Sequence, residues 1–162
     1  MLPSLIQLIK ICFVGIKVWP HDPDRPTAQD ATSFDFNGVE IQEGSETHIL
    51  NNDEDQSYYR VILRVSIANR VGKIAPYDVD VCVYGDFHIN KNVPIEERED
   101  LITVNGCSML YGAIREQVMT LSARSIHGML ILPTVHFRDK IKKREEPPSR
   151  KQPKTRKPKA LG

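Results

Sequence analysis

Residues 59–83 read YRVILRVSIANRVGKIAPYDVDVCV. Tyr59, Val61, Leu63, Val65 and Ile67 recur at every second position, and so do Tyr77, Val79, Val81 and Val83. A period of two puts alternate side chains on opposite faces of a strand, so each run predicts a strand with one buried face. The intervening residues, Arg60, Arg64 and Ser66 on the first run and Asp78, Asp80 and Cys82 on the second, define the wet face. The link at 69–73 is polar and holds Gly72. Two alternating runs around such a link predict an antiparallel hairpin with one face toward the core and one toward water.

Upstream, Ile9, Ile11 and Phe13 alternate, and Ile16 and Val18 continue in the opposite phase. The change of phase at Val14 and Gly15 predicts a bulge within one long strand. Residues 20–29, with three prolines and several aspartates, predict a connecting loop. Phe34, Phe36, Val39 and Ile41 predict a second, shorter strand broken by Asn37 and Gly38, and the polar, acidic stretch 43–57 predicts a loop.

Downstream, residues 105–137 read NGCSMLYGAIREQVMTLSARSIHGMLILPTVHF. Leu110, Ile114, Val118 and Leu121 are spaced by three and four residues, the signature of one apolar helix face. Asn105 or Ser108 would cap its start, and Gly128 would end it by adopting a left-handed conformation. Met109, Tyr111, Met119 and Met129 lie off the stripe and suit either loose core filling or an adaptable surface. Four strands followed by a helix predict an α+β fold, a four-stranded antiparallel sheet packed with one long helix.

The chain has 162 residues and a formal charge of +1, but that total conceals two halves. Residues 138–159 hold 11 Lys and Arg against 3 Asp and Glu, for +8, and the rest of the chain sums to −7. This divides the chain into a domain at 1–141 and a basic tail at 142–162. The tail, with four prolines from Pro147 onward and no apolar period, is predicted to be disordered. It buries too little apolar surface to offset about 1 to 2 kcal/mol of backbone entropy per ordered residue. It reads either as a solubilising tail or as a tether for nucleic acid or another acidic partner.

Catalytic and metal chemistry find little support. Cys12, Cys82 and Cys107 show neither CxxC spacing nor a disulfide framework, which fits a reducing cytoplasm. The five histidines have no ligand spacing, and there is no GxGxxG or P-loop, so neither a metal nor a nucleotide cofactor is expected. Cys107 and His127 would lie roughly 30 Å apart along a continuous helix, too far for a nucleophile and its base. Arg115 and Glu116, adjacent on a helix, do not face each other and suggest structural pairing. Lys10 and Lys17 interrupt the apolar N-terminus, whose runs fall short of the about 20 residues that a membrane span needs, so no membrane insertion is expected.

From about Ile6 to Phe137 the order and wording of the segments resemble the SecB family of export chaperones. The resemblance is carried by YRVILRVSI at 59–67, NGCSMLYGAIRE at 105–116 and LPTVHF at 132–137. It implies a sheet backed by a long helix, assembled through sheet edges and helices into a homotetramer, a dimer of dimers. It also implies an ATP-independent holdase that binds unfolded or nascent polypeptides in apolar grooves, for delivery to the SecA motor or, in some relatives, for protection of an antitoxin. Transferred to this chain, the client groove would involve Phe34, Phe36, Val39, Met129, Leu132, Val135 and Phe137. The SecA-facing surface would involve Asp78 and Asp80. Asp80 keeps an acidic position, whereas Asp78 replaces an apolar residue, and Phe13 and Lys17 stand where the family has further acidic contacts. After Phe137 the family continues into an apolar helix, for which RDKIKKREE offers only Ile141.

Overall fold

The computed structural model describes residues 4–24, 31–52 and 57–140. The basic tail lies outside these residues, as does part of the proline-rich link after β1. The described elements are β1 (Ile6–Pro20), a 3-10 turn (Ala31–Ser33), β2 (Gln42–Asn52), β3 (Ser57–Ile67), β4 (Tyr77–Ile89), α1 (Ile95–Ser122) and a second 3-10 turn (Arg138–Lys140). The strands form one sheet in the order β1-β4-β3-β2, with every neighbouring pair antiparallel. With α1 packed on one face of that sheet, this is the α+β arrangement expected.

The β3–β4 hairpin forms with Leu63 opposite Val83 and Val65 opposite Val81. Burial alternates strictly along both strands, and β4 continues the pattern past Val83 to Phe87 and Ile89. The bulge in β1 falls between Phe13 and Gly15, with a second irregularity between Leu8 and Lys10.

Three expectations need correction. The second strand is not 34–41 but Gln42–Asn52, most of the stretch read as a loop. It pairs only with β3, and its inward positions carry small polar groups: Ser45 and Thr47 are half-buried, with the Thr47 and Thr103 hydroxyls 2.8 Å apart. An edge strand so composed has no apolar alternation to read. Residues 34–41 instead form a turn whose one ladder contact is an isolated bridge from Val39 to Gly72.

The helix starts at Ile95 rather than near Asn105 or Ser108. Pro94 precedes it and Glu96 and Glu97 occupy its first turn, where acidic groups complement the positive end of the helix dipole. The buried Arg98 fastens this start to the sheet, donating from Nη1 to Ser57 Oγ at 2.6 Å and from Nε to the Val93 carbonyl at 2.8 Å.

The helix stops at Ser122, so Gly128, at φ +77°, shapes the following turn instead. Leu121 is 48% exposed, outside the core stripe. The buried face runs through Arg98, Ile102, Gly106, Leu110, Ile114, Val118 and Ser122, every fourth residue. Steps of four advance about 40° around the axis each time, so the contact line is a slanted ridge and a three-residue step to Leu121 leaves it.

Close approach of α1 to the sheet depends on two glycines. A Cβ at Gly106 would lie 2.8 Å from Val61 Cγ2, and one at Gly85 would lie 2.8 Å from Phe87 Cε2 and 3.0 Å from Leu110 Cδ2.

Candidate client-binding clefts and sheet face

Beyond α1 the chain runs from Met129 to Phe137 without helix or strand and without joining the sheet. Its backbone groups find side-chain partners instead. Leu130 N donates to Ser122 Oγ at 2.8 Å, Tyr111 donates to the Pro133 carbonyl at 2.7 Å, and Arg115 Nε donates to the Leu132 carbonyl at 2.9 Å. Burial pushes the Tyr111 hydroxyl up to about 12, so it remains a donor throughout the physiological range.

Opposite this segment stands the 34–41 turn. The rings of Phe34 and Phe36 pack edge to face at 5.1 Å, and the Lys73 ammonium sits 4.8 Å from the Phe34 centroid. Between the two walls lies a cleft of about 630 Å³ lined by Phe34, Phe36, Ile41, Leu132, Pro133 and Arg115, among others. A second cleft of about 480 Å³ continues on the helix side of Arg115, floored by Gly112 and Ala123 and flanked by Met119 and Met129.

The seven groove candidates therefore divide. Phe34 and Phe36 wall the larger cleft with Leu132, and Met129 walls the smaller. Val39 packs half-buried against the core. Val135 is exposed, whereas Leu132 and Phe137 are buried core residues, the latter set against the Tyr111 ring. Met119 shares a cleft with Met129, the adaptable pairing that residues off the apolar stripe allow. Ile41, Pro133 and Arg115 line the larger cleft without being among the groove candidates, since the sequence pattern assigns Ile41 to a strand and Arg115 to structural pairing. The chain bend that gathers them leaves no periodic trace, although two aromatics beside Asn37-Gly38 were a signal for a turn rather than a strand.

Asp78 and Asp80 lie on the opposite, wet face of the sheet, each with partners in the chain. Arg64 grips Asp80 bidentately at 2.8 and 2.6 Å, and Arg60 holds Asp86 the same way at 2.7 and 2.9 Å. These bonds hold both carboxyls below the ordinary aspartate range. Asp78 accepts from Asn69 Nδ2 at 2.9 Å and lies 3.4 Å from His21 Nδ1.

Cys107 and His127 are not brought together as a reactive pair. Cys107 is buried toward Ser45 on β2, and burial raises its thiol to about 11. His127 packs against the Tyr77 ring with Nε2 3.0 Å from the His21 carbonyl. Among the described residues no group of histidine, cysteine or carboxylate side chains could hold a metal ion, and no helix is long and apolar enough to cross a membrane.

A third surface is the free edge. Among the described residues β1 pairs only with β4, and Leu5, Leu8, Ile9, Ile11, Val14, Ile16 and Trp19 are exposed along or beside its length. Leu8, Ile11 and Ile16 sit in register with buried β4 positions, yet remain exposed, as α1 lies mainly over β3 and β4. Ile9 and Val14 are the bulge residues, 61% and 67% exposed.

A four-stranded antiparallel sheet with one long helix on one face defines the class of fold. No family model and no curated protein sequence matches the chain. Among solved structures, a protein of unknown function from Streptococcus agalactiae shares the fold, with a TM-score of 0.52 at 10% identity over 80% of this chain and 97% of that one. A SecB-like chaperone of Mycobacterium tuberculosis, solved with a ChAD peptide from the HigA1 antitoxin, is similar at a TM-score of 0.45 and 19% identity, covering 82% of this chain and 91% of that one.

Proposed function

We propose that this chain is an ATP-independent chaperone of the SecB type that holds non-native polypeptides. The observation that carries the reading is the pair of open apolar clefts meeting at Arg115, whose linings include Phe34, Phe36, Met129 and Leu132 of the seven residues that the resemblance suggests for a client groove. A holdase must favour the unfolded state over the native one, and the two differ chiefly in exposed apolar side chains. At about 25 cal/mol per Å² of apolar area, one cleft gives modest affinity. Several clefts acting on one long client multiply it, which favours the homotetramer the resemblance implies.

The open edge of β1 supports assembly. A strand of 15 residues whose outer edge has no partner strand among the described residues, with exposed Ile9, Val14 and Trp19, is a template for another strand, and a second copy of this chain is the partner we assign to it. The charge of Asp80 is met by Arg64, which leaves Asp78, held by the neutral Asn69 amide and beside His21, to offer SecA a smaller negative face than two free carboxylates would. We therefore favour an antitoxin or another cytoplasmic client over a secretory precursor.

Aggregation of a slowly folding polypeptide, followed by light scattering at low and high salt, tests the reading. Suppression that persists at high salt is the expected result. Suppression that disappears with salt would move the function to the basic tail and a nucleic acid or other acidic partner, because that binding falls steeply as counterions compete.

A further inference from the structure

Among the described arginines that lack an ion pair, Arg115 is set apart by its place between two clefts. Arg60 and Arg64 lie on the wet face of the sheet, each closed by a bidentate carboxylate, and Arg98 spends its donors on Val93, Ser57 and Lys91. Arg115 lines both apolar clefts at the point where they meet. Its Nε is committed to the Leu132 carbonyl, which fixes the plane of the guanidinium. Among the described residues no carboxylate comes within ion-pair distance of its remaining nitrogens.

The neighbouring acids do not fill that role. Asp35, on the far wall of the larger cleft, pairs with Lys73 at 3.3 Å and accepts from Asn37 N at 3.0 Å. Glu116 borders the smaller cleft, but adjacent helix residues point about 100° apart and it makes no ion pair with Arg115.

We infer that Arg115 reads an acidic residue in the client, so that the clefts select apolar polypeptide segments interrupted by an aspartate or glutamate. The inference rests on the chaperone reading and narrows it to a substrate class. A guanidinium with one edge anchored and the rest unpaired offers a planar fork that matches a carboxylate. Apolar side chains flank it in both clefts, Phe34, Phe36 and Leu132 in the larger and Met119 and Met129 in the smaller, so the residues on either side of a client carboxylate would meet apolar surface. A client lysine at the same point would meet like charge, and an asparagine would leave the guanidinium without a counter-charge.

The test uses the full chain and fluorescein-labelled peptides of one apolar sequence, with Asp, Asn or Lys at the central position, titrated by fluorescence anisotropy. The Asp peptide should bind about tenfold more tightly than the Asn peptide, the scale of one charge-assisted hydrogen bond, with the Lys peptide weakest. Arg115→Gln should erase the order, and Arg115→Lys should keep part of it. The comparison among peptides on the unaltered chain needs no variant to fold.

Equal binding of the Asp and Asn peptides would overturn the inference and leave the holdase reading standing. So would an order that survives Arg115→Gln. If no peptide binds while unfolded polypeptide is still held, the inference falls together with the assignment of holding to these clefts, and holdase activity itself stands. If neither peptides nor unfolded polypeptide are held, the chaperone reading falls with it.

Discussion

The interior under α1 and the edge at β1 are built from the same residue types and meet opposite fates. Val61, Leu63, Val81 and Val83 are fully buried because the slanted ridge of α1 crosses β3 and β4. Ile9, Ile11, Val14 and Ile16 are no less apolar, yet they stay exposed because α1 lies chiefly over β3 and β4 and covers the outer strand β1 less, and because Ile9 and Val14 are bulge residues. Composition thus sets which residues can be buried, while the path of one helix decides which are. What the helix leaves open, on β1 and in the clefts beside 129–137, is the surface available for other chains.

The sharpest way to break the contrast is inside the core. Leu110→Ala, at a fully buried position, should lower unfolding stability by about 2 to 5 kcal/mol in denaturant titration. A cost below about 1 kcal/mol would mean that the interior is not close-packed there. Gly106→Val should cost about 1 to 3 kcal/mol, because its side chain would push Val61 away and lift the helix. An unchanged midpoint for that variant would contradict the close approach.

Smaller effects belong to the wet face. Arg60 holds the Asp86 carboxyl below its ordinary 3.8, so the pair contributes fully above that value and loses its contribution as pH falls toward the lower folded-state value. Asp86→Asn should therefore cost less than about 1 kcal/mol at neutral pH and flatten the acid limb of a stability–pH profile. An acid limb identical to that of the unaltered chain would sink this assignment. Smallest of all for the folded monomer is Val14→Ser at the exposed bulge, expected within about 0.5 kcal/mol. It should nevertheless weaken self-association in sedimentation velocity if β1 is the assembly edge. Unaltered assembly would remove β1 from that role.

The legibility of the chain follows the same division. The β3–β4 hairpin, the β1 bulge and the existence of α1 were readable, because burial on one face imposes a period on the sequence. β2 was not, since its inward Ser45 and Thr47 satisfy the helix by hydrogen bonding rather than by apolar contact. The first turns of α1 were missed for a related reason. Their anchor is a buried arginine, and Gly106 and Cys107 fill the stripe where larger apolar residues were sought. Of the clefts, the aromatic wall at Phe34 and Phe36 and the methionine at 129 could be singled out. Arg115 could not, because its meaning lies in two walls brought together by a bend with no periodic signature.

The central claim, that this molecule holds polypeptides by burying their apolar surface in these clefts, is tested most directly by calorimetry with a permanently unfolded polypeptide at several temperatures and two salt concentrations. The account predicts a negative heat-capacity change that persists at high salt and is greatly reduced by the double substitution Phe34→Ser and Phe36→Ser. A heat-capacity change near zero, or binding indifferent to the loss of both rings, would contradict it.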